Sequence, residues 1–361
     1  MTALLLFFTG GALAQPRAAD ELAGLDLSGL YEFAREQGAQ ELAQDAAKRI
    51  ASGEMPDYAA LGSWLLERLR QPFSGVLRAF AGVAAPMLLL AFFTCLTGGR
   101  DSGAQMLLRL MLLLGFASAA ETAVSAAGAC IQSVKRLTEV VSPLLTALMT
   151  GCGMSASAAV VSPLSALSGD AAVKLLDGCG LALCRGALCM ALAGNLSASL
   201  SLDGFSRLAR RSVNWISGLA TTLFTAFLSL QSSLAVNLDA MGVRTVKYAV
   251  DSAAPIIGSG ISDAWEGYIS GVMVAKDAVG LSGMLCLLAA GVQPMLTCAA
   301  SMLLFSFAAA FMEVLGERRG AHAARQMSAV CQMALTLATA ALAISMALLG
   351  GAMGMGKILG R

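Results

Sequence analysis

Eight runs of apolar residues, most of them near the length that crosses a bilayer, limit what this chain can fold into. They lie at Ala79–Thr97, Gln105–Ala127, Val140–Val161, Ala171–Leu196, Val213–Ala235, Val279–Val292, Met295–Val314 and Met327–Met353. About 20 residues rising 1.5 Å each cross roughly 30 Å of hydrocarbon. Lipid offers no water to backbone amides, so each run must satisfy its own hydrogen bonds as a helix. Only 13% of the 361 residues are charged and 57% are hydrophobic, whereas a soluble domain has about 25% charged. The expectation is an all-α, polytopic transmembrane helical bundle. The formal net charge of +1 gathers on no basic face, which argues against a nucleic-acid partner.

Val279–Val314 has 36 residues, with Gln293 its one strongly polar member before Glu313 near the end. As a single helix it would measure about 54 Å, beyond the hydrocarbon thickness. Pro294 therefore predicts a tight turn and a hairpin of two short spans. Residues 73–361 read as one multi-pass membrane domain of about eight spans.

Ahead of it, residues 1–14 have the apolar core and Ala12-Leu13-Ala14 ending of a signal peptide,. That would place residues 15–72 outside the cytoplasm as a short exported helical region. Leu30 and Phe33 belong to a helical stripe there, and Leu42 and Ile50 to another,. The region is too small for a core of its own and is expected to rest on the membrane or a partner. Trp64, Arg68 and Arg70 read as interface anchors,.

The stretch Gly242–Gly283 lies between two apolar blocks and is charged, glycine-rich and broken by Pro255. Val246, Ala249 and Val250, then Ile261, Ala264, Trp265 and Ile269, recur at helical spacing,. Two short amphipathic helices hinged at Pro255–Gly260 are expected within an amphipathic segment 237–277. The segment reads either as a structured connection or as a gate or docking surface. For the latter the candidate residues are Arg244, Lys247, Pro255, Gly258, Asp263, Lys276 and Asp277.

VVSPL occurs at Val140–Leu144 and again at Val160–Leu164. Ser followed by Pro is a helix-start signal, so two broken half-helices are one expectation and a single Pro-capped span the other. Lys174, Asp177 and Arg185 lie inside an apolar block, where each charge is costly,. Lys174 and Asp177, three apart, are expected to share a face. Arg185 needs a partner inside the bundle or a role in conduction. Cys179, Cys184 and Cys189 are five apart and do not share a helix face,. No metal or cofactor is expected. Gly351 to Lys357 imitates a phosphate-binding loop but is followed by Ile358 where Ser or Thr is needed,. No nucleophile or carboxylate constellation appears, so catalysis is not expected. Lys/Arg counting fails to orient the eight-span chain: Arg207, Arg210 and Arg211 fall on one side, and Arg244, Lys247, Arg318, Arg319 and Arg325 on the other,.

Arg244-Thr245 with Lys247, Pro255, Gly258 and Asp263, then Lys276 through Gly280 with Gly283, resemble the stage III sporulation protein AE family of endospore-forming bacteria. Leu25 to Leu30, LDLSGL, resembles the mature N-terminus of that family. The resemblance implies a permease-like, multi-pass protein of the mother-cell membrane. It would act with the other membrane products of its operon and a forespore membrane partner, in a channel or secretion-like complex needed for endospore formation. A homo-oligomer within the lipid bilayer is compatible with it. The alternative is an autonomous secondary transporter with a broken-helix site near 140–164.

Overall fold

The computed structural model describes residues 27–51, 58–96, 103–166, 171, 174–196, 203–253 and 258–354. The signal peptide expected at 1–14 lies outside the described residues. All elements are helices: α1 Ser28–Glu36, α2 Gln40–Ala51, α3 Tyr58–Leu96, α4 Gly103–Gly151, α5 Ser155–Ala166, α6 Ala182–Leu196, α7 Asp203–Ala253, α8 Gly258–Val314 and α9 Arg318–Gly354. A π-helical segment, Lys174–Leu181, leads directly into α6.

The centre of the molecule is the antiparallel pair α8–α9. Small residues let these two helices approach. A Cβ at Gly280 would meet Met353 Cγ at 2.5 Å, and one at Gly291 would meet Leu342 Cδ1 at 2.3 Å. The pair is closed by a tight turn at Gly316, whose φ of +82° suits glycine,. Along the opposite side, α4 packs with Leu112, Phe116, Ala123, Ala127, Ile131 and Val141 turned inward. Phe116 meets Phe305 of α8 edge-on, with ring centroids 5.4 Å apart,.

The contacts fix the direction of each helix. Thr94 at the end of α3, Arg109 near the start of α4 and Glu317 before α9 meet at one end. Asn195 at the end of α6 donates to Gln326 of α9 at 2.7 Å, near that same end. At the other end, Gly29 of α1 lies against Val140 of α4. So α4, α7 and α9 run one way, and α3, α6 and α8 the other. Among the described residues, five helices are long and apolar enough to cross a membrane, and Ala81–Thr94 of α3 is a shorter apolar stretch.

Three expectations change. Val279–Val292 and Met295–Val314 are not a hairpin, because α8 continues through Pro294 as one helix of 57 residues. At 1.5 Å per residue it is about 86 Å long. A helix need not end where hydrocarbon ends. Here α9 and α4 continue alongside it, and Leu285, Leu287 and Cys298 on either side of the proline are buried, Cys298 Sγ donating to the Ala123 carbonyl of α4 at 3.2 Å. That packing offsets the roughly 3 kcal/mol that an interior proline costs.

Val140–Val161 is not one span. It is divided between α4 and α5 by a turn at Gly153, whose φ is +74°. Both VVSPL prolines sit inside helices rather than at their starts. Val141 and Leu145, like Val161 and Leu164, keep one buried face running past each proline. The two segments become neighbours, and Ser142 Oγ donates to Ser165 Oγ at 2.6 Å.

The amphipathic segment is not two separate short helices. Its halves are the end of α7, up to Ala253, and the start of α8, from Gly258, and the hinge expected at Pro255 lies outside the described residues.

The N-terminal helices rest on the bundle. Leu30 and Phe33 are buried, and Arg136 of α4 faces Glu36 of α1 at 3.7 Å. Trp64 and Arg68 do not simply point at lipid. Trp64 Nε1 donates to the Gly38 carbonyl at 3.1 Å, Arg68 donates to the Gln37 carbonyl, and the guanidinium lies over the Trp64 ring,. Together they clamp the α1–α2 turn.

Candidate functional site

Among the described residues, three buried charges organise the bundle, each set against the end of another helix. Lys276 of α8 has a side chain 2% exposed. Its Nζ donates to the carbonyls of Ala352 and Met353, at 3.3 and 3.4 Å. These are in the last turn of α9, where carbonyls have no intrahelical partner and the helix dipole is negative. Asp277 Oδ1 lies 3.8 Å from the same ammonium. Lys276 therefore caps the neighbouring helix, with Asp277 beside its ammonium.

Asp239 of α7 performs the mirror-image task. It is 3% exposed. The backbone N–H groups of Ala156 and Ser157 donate to its two carboxylate oxygens, each at 2.8 Å. Those amides belong to the first turn of α5, where donors lack partners and the dipole is positive. A free N-terminus here could hold an anionic substrate, but Asp239 already fills it.

Glu317, just before α9, is the third. Thr94 Oγ1 donates to its Oε2 at 3.0 Å and Arg109 Nε to its Oε1 at 3.3 Å. One carboxylate thus ties the ends of α3 and α4 to the α8–α9 turn. Asp239 and Glu317 were not foreseen as site residues. Their partners lie 83 and 208 residues away in sequence, and no local motif marks either.

Arg185 of α6 pairs with Glu121 of α4 at 3.4 Å, with both side chains about half exposed, at 56% and 45%. Its partner comes from α4, but the pair is half exposed rather than enclosed inside the bundle. Lys174 and Asp177 are not drawn together. Asp177 accepts from Gln132 Nε2 of α4 at 3.0 Å instead. The stretch is π-helical, and its wider i→i+5 winding carries residue i+3 off the line of residue i,. Lys174 is exposed.

Arg244 and Lys247 lie on α7, and Gly258 and Asp263 on α8. Their side chains, and Pro255 altogether, lie outside the described residues. Of the candidate gate, the structure therefore describes the surroundings of Lys276 and Asp277. Among the cysteines, Cys184 is buried, whereas Cys179 and Cys189 are exposed.

Residues 100–353 match the family model described as stage III sporulation protein AE. The chain is also 22% identical over 207 residues to the stage III sporulation protein AE of Bacillus subtilis (strain 168). That similarity covers 57% of this chain and 52% of the relative, so the matched chain spans about half the relative's length. No solved structure matches.

Proposed function

Because the chain belongs to the stage III sporulation protein AE family, we propose that it is the permease-like membrane platform of a transport or secretion-like complex that endospore formation requires. It sits in the mother-cell membrane facing the forespore. It works with the other membrane proteins of its operon and with a forespore membrane partner, and no catalytic step is assigned to it.

The observation that supports this reading is helix length. α4, α7 and α8 have 49, 51 and 57 residues, so each is about 74–86 Å long against roughly 30 Å of hydrocarbon. A bundle of such helices stands well clear of one membrane surface. The arginines say which. With α8 unbroken, Arg207, Arg210 and Arg211 at the start of α7 lie at the same end as Arg318, Arg319 and Arg325 at the start of α9. Positive residues mark the cytoplasmic side. The opposite end, with α1, α2, α5 and the end of α9, then rises into the space between the two membranes as a surface for partners.

The test is deletion of the chain in its sporulating host, followed by complementation. The full chain should restore spores. A version lacking residues 27–51 should insert in the membrane, fail to retain the other operon products there, and leave sporulation blocked. Normal sporulation without the chain would overturn the proposal.

A further inference from the structure

Among the described residues, α7 is the least enclosed of the helices able to cross a membrane. In its most apolar stretch 12% of the residues are buried, against 33–61% in the other four. Its buried side carries Ala209, Val213 and Ser217, then Leu228 and Ala235. On its outer side, large apolar residues are exposed from Trp215 through Leu219, Leu223 and Leu230 to Leu238. That line is about 35 Å long, close to the roughly 30 Å of hydrocarbon. Lipid is the neighbour this side of α7 matches.

The line ends in arginines. One turn before Trp215, about 6 Å along the axis, the same side carries exposed Arg211, and one turn further exposed Arg207,. Headgroups occupy roughly 5–8 Å beyond the hydrocarbon on each surface. Helical side chains lean toward the start of their helix, so Arg211 and Arg207 reach outward through this layer. Trp215 stands at its inner edge, as interfacial aromatic rings do. Arg210 and Asn214 flank the two arginines, and both are exposed. No acidic residue occurs between Asp203 and Asp239. Among the described residues none of the three arginines faces a carboxylate. Exposed Arg136, Arg185 and Arg325 each do, with Glu36, Glu121 and Glu313.

We propose that Arg207, Arg210 and Arg211 hold the phosphate of an anionic phospholipid, whose acyl chains lie against Trp215 and the leucines below it. Guanidinium groups bind phosphate oxygens through several parallel donors. Three positive charges without a carboxylate select an anionic headgroup, because a zwitterionic one brings an ammonium that they repel. A free phosphate would gain nothing from the exposed ring of Trp215. An acidic protein would have to displace lipid from the apolar line that continues directly from the arginines. The inference needs the chain to be embedded in a membrane and is independent of the transport reading.

The test uses the full chain reconstituted into phosphatidylcholine vesicles, to which a lipid with brominated acyl chains, a quencher of nearby tryptophan, is added. Trp215 emission is taken as the difference between the chain and its Trp215→Phe variant, since Trp64 and Trp265 also emit. Brominated phosphatidylglycerol should quench Trp215 at a several-fold lower content than brominated phosphatidylcholine. Millimolar inorganic phosphate should leave that preference in place. Replacing Arg207, Arg210 and Arg211 together by Gln should erase the preference while both lipids still reach Trp215. Arg318→Gln, which removes an exposed charge elsewhere at the same end, should keep it. Equal quenching by the two lipids in the unaltered chain would overturn the proposal, as would a preference that survives the triple replacement. Loss of the preference in Arg318→Gln would replace the site by diffuse charge, and its loss on adding phosphate would make it a free-anion site. Failure of either lipid to quench Trp215 would place protein over this face, and each of these three results also overturns the proposal.

Discussion

The ammonium of Lys276 lies 3.3 Å from the carbonyl oxygen of Ala352, so a charge in the core of α8 closes the end of α9. Removing the charge leaves those carbonyls buried without a donor, and an orphaned buried group costs more than the bond itself contributed. Lys276→Met keeps the volume and removes the donor. It should destabilise the protein by about 2–4 kcal/mol, seen as a lower thermal midpoint in detergent. Lys276→Arg should lose less, since a guanidinium can still donate to both carbonyls. A native midpoint for the Met variant would show that the cap contributes nothing.

Asp239 makes the complementary prediction for α5. Its two carboxylate oxygens each accept a backbone amide. Asp239→Ala should cost about 2–3 kcal/mol, combining the lost charged hydrogen bonds with the lost cap. Asp239→Asn keeps one acceptor oxygen and should fall between. Hydrogen exchange at Ala156 and Ser157 is the direct readout. Both amides should lose protection in the Ala variant before the rest of the bundle does.

The fold class was legible from the apolar runs alone, because lipid leaves the backbone almost no alternative to helices. Helix ends were less legible. Pro294 and the prolines of both VVSPL segments were read as boundaries, yet each is carried inside a helix by long-range packing that local sequence does not contain. Of the site, Arg185 was legible because a lone charge in an apolar block must have a partner. Lys276 was named for its charge, but its role as a cap 76 residues away in sequence was not readable. Asp239 and Glu317 carry no local mark in the sequence, because the groups that meet them lie 83 and 208 residues away.

Gly180 marks a close approach between the π-helical turn and α9. A Cβ there would meet Leu337 Cδ2 at 2.5 Å, and Leu337 is completely buried. Gly180→Ala should therefore cost about 1–3 kcal/mol by overpacking. The same change in a Leu337→Ala background should cost much less, since the truncated side chain leaves room for the new methyl. Additive losses in the double variant, measured by thermal unfolding in detergent, would place the strain elsewhere.

Thr94, Arg109 and Glu317 form one knot. Glu317→Gln removes the carboxylate charge that Arg109, 22% exposed, faces. A loss of about 1–3 kcal/mol is expected from weakening this charged hydrogen bond to a mostly buried guanidinium. Arg109→Met alone strands Glu317, which is more deeply buried, and should cost more. The double variant should recover part of the loss, with a coupling of about 1 kcal/mol or more in the cycle. A coupling near zero would mean the ion pair is incidental.

Whether α8 is one helix or a hairpin decides the sidedness of everything after it. If Pro294 were a turn between two spans, Arg207–Arg211 and Arg318–Arg325 would lie across the membrane from each other. With α8 continuous, both groups share the end where Asn195 meets Gln326. Single cysteines at Arg210 and Arg319, in a chain stripped of its native cysteines, should label from the same side. A third at Ser155, at the start of α5, should label from the opposite one. Positive residues favour the cytoplasmic side, so the arginine end should react only after the membrane is permeabilised. Labelling of Arg210→Cys and Arg319→Cys from opposite sides would restore the hairpin and remove the basis for orienting the bundle.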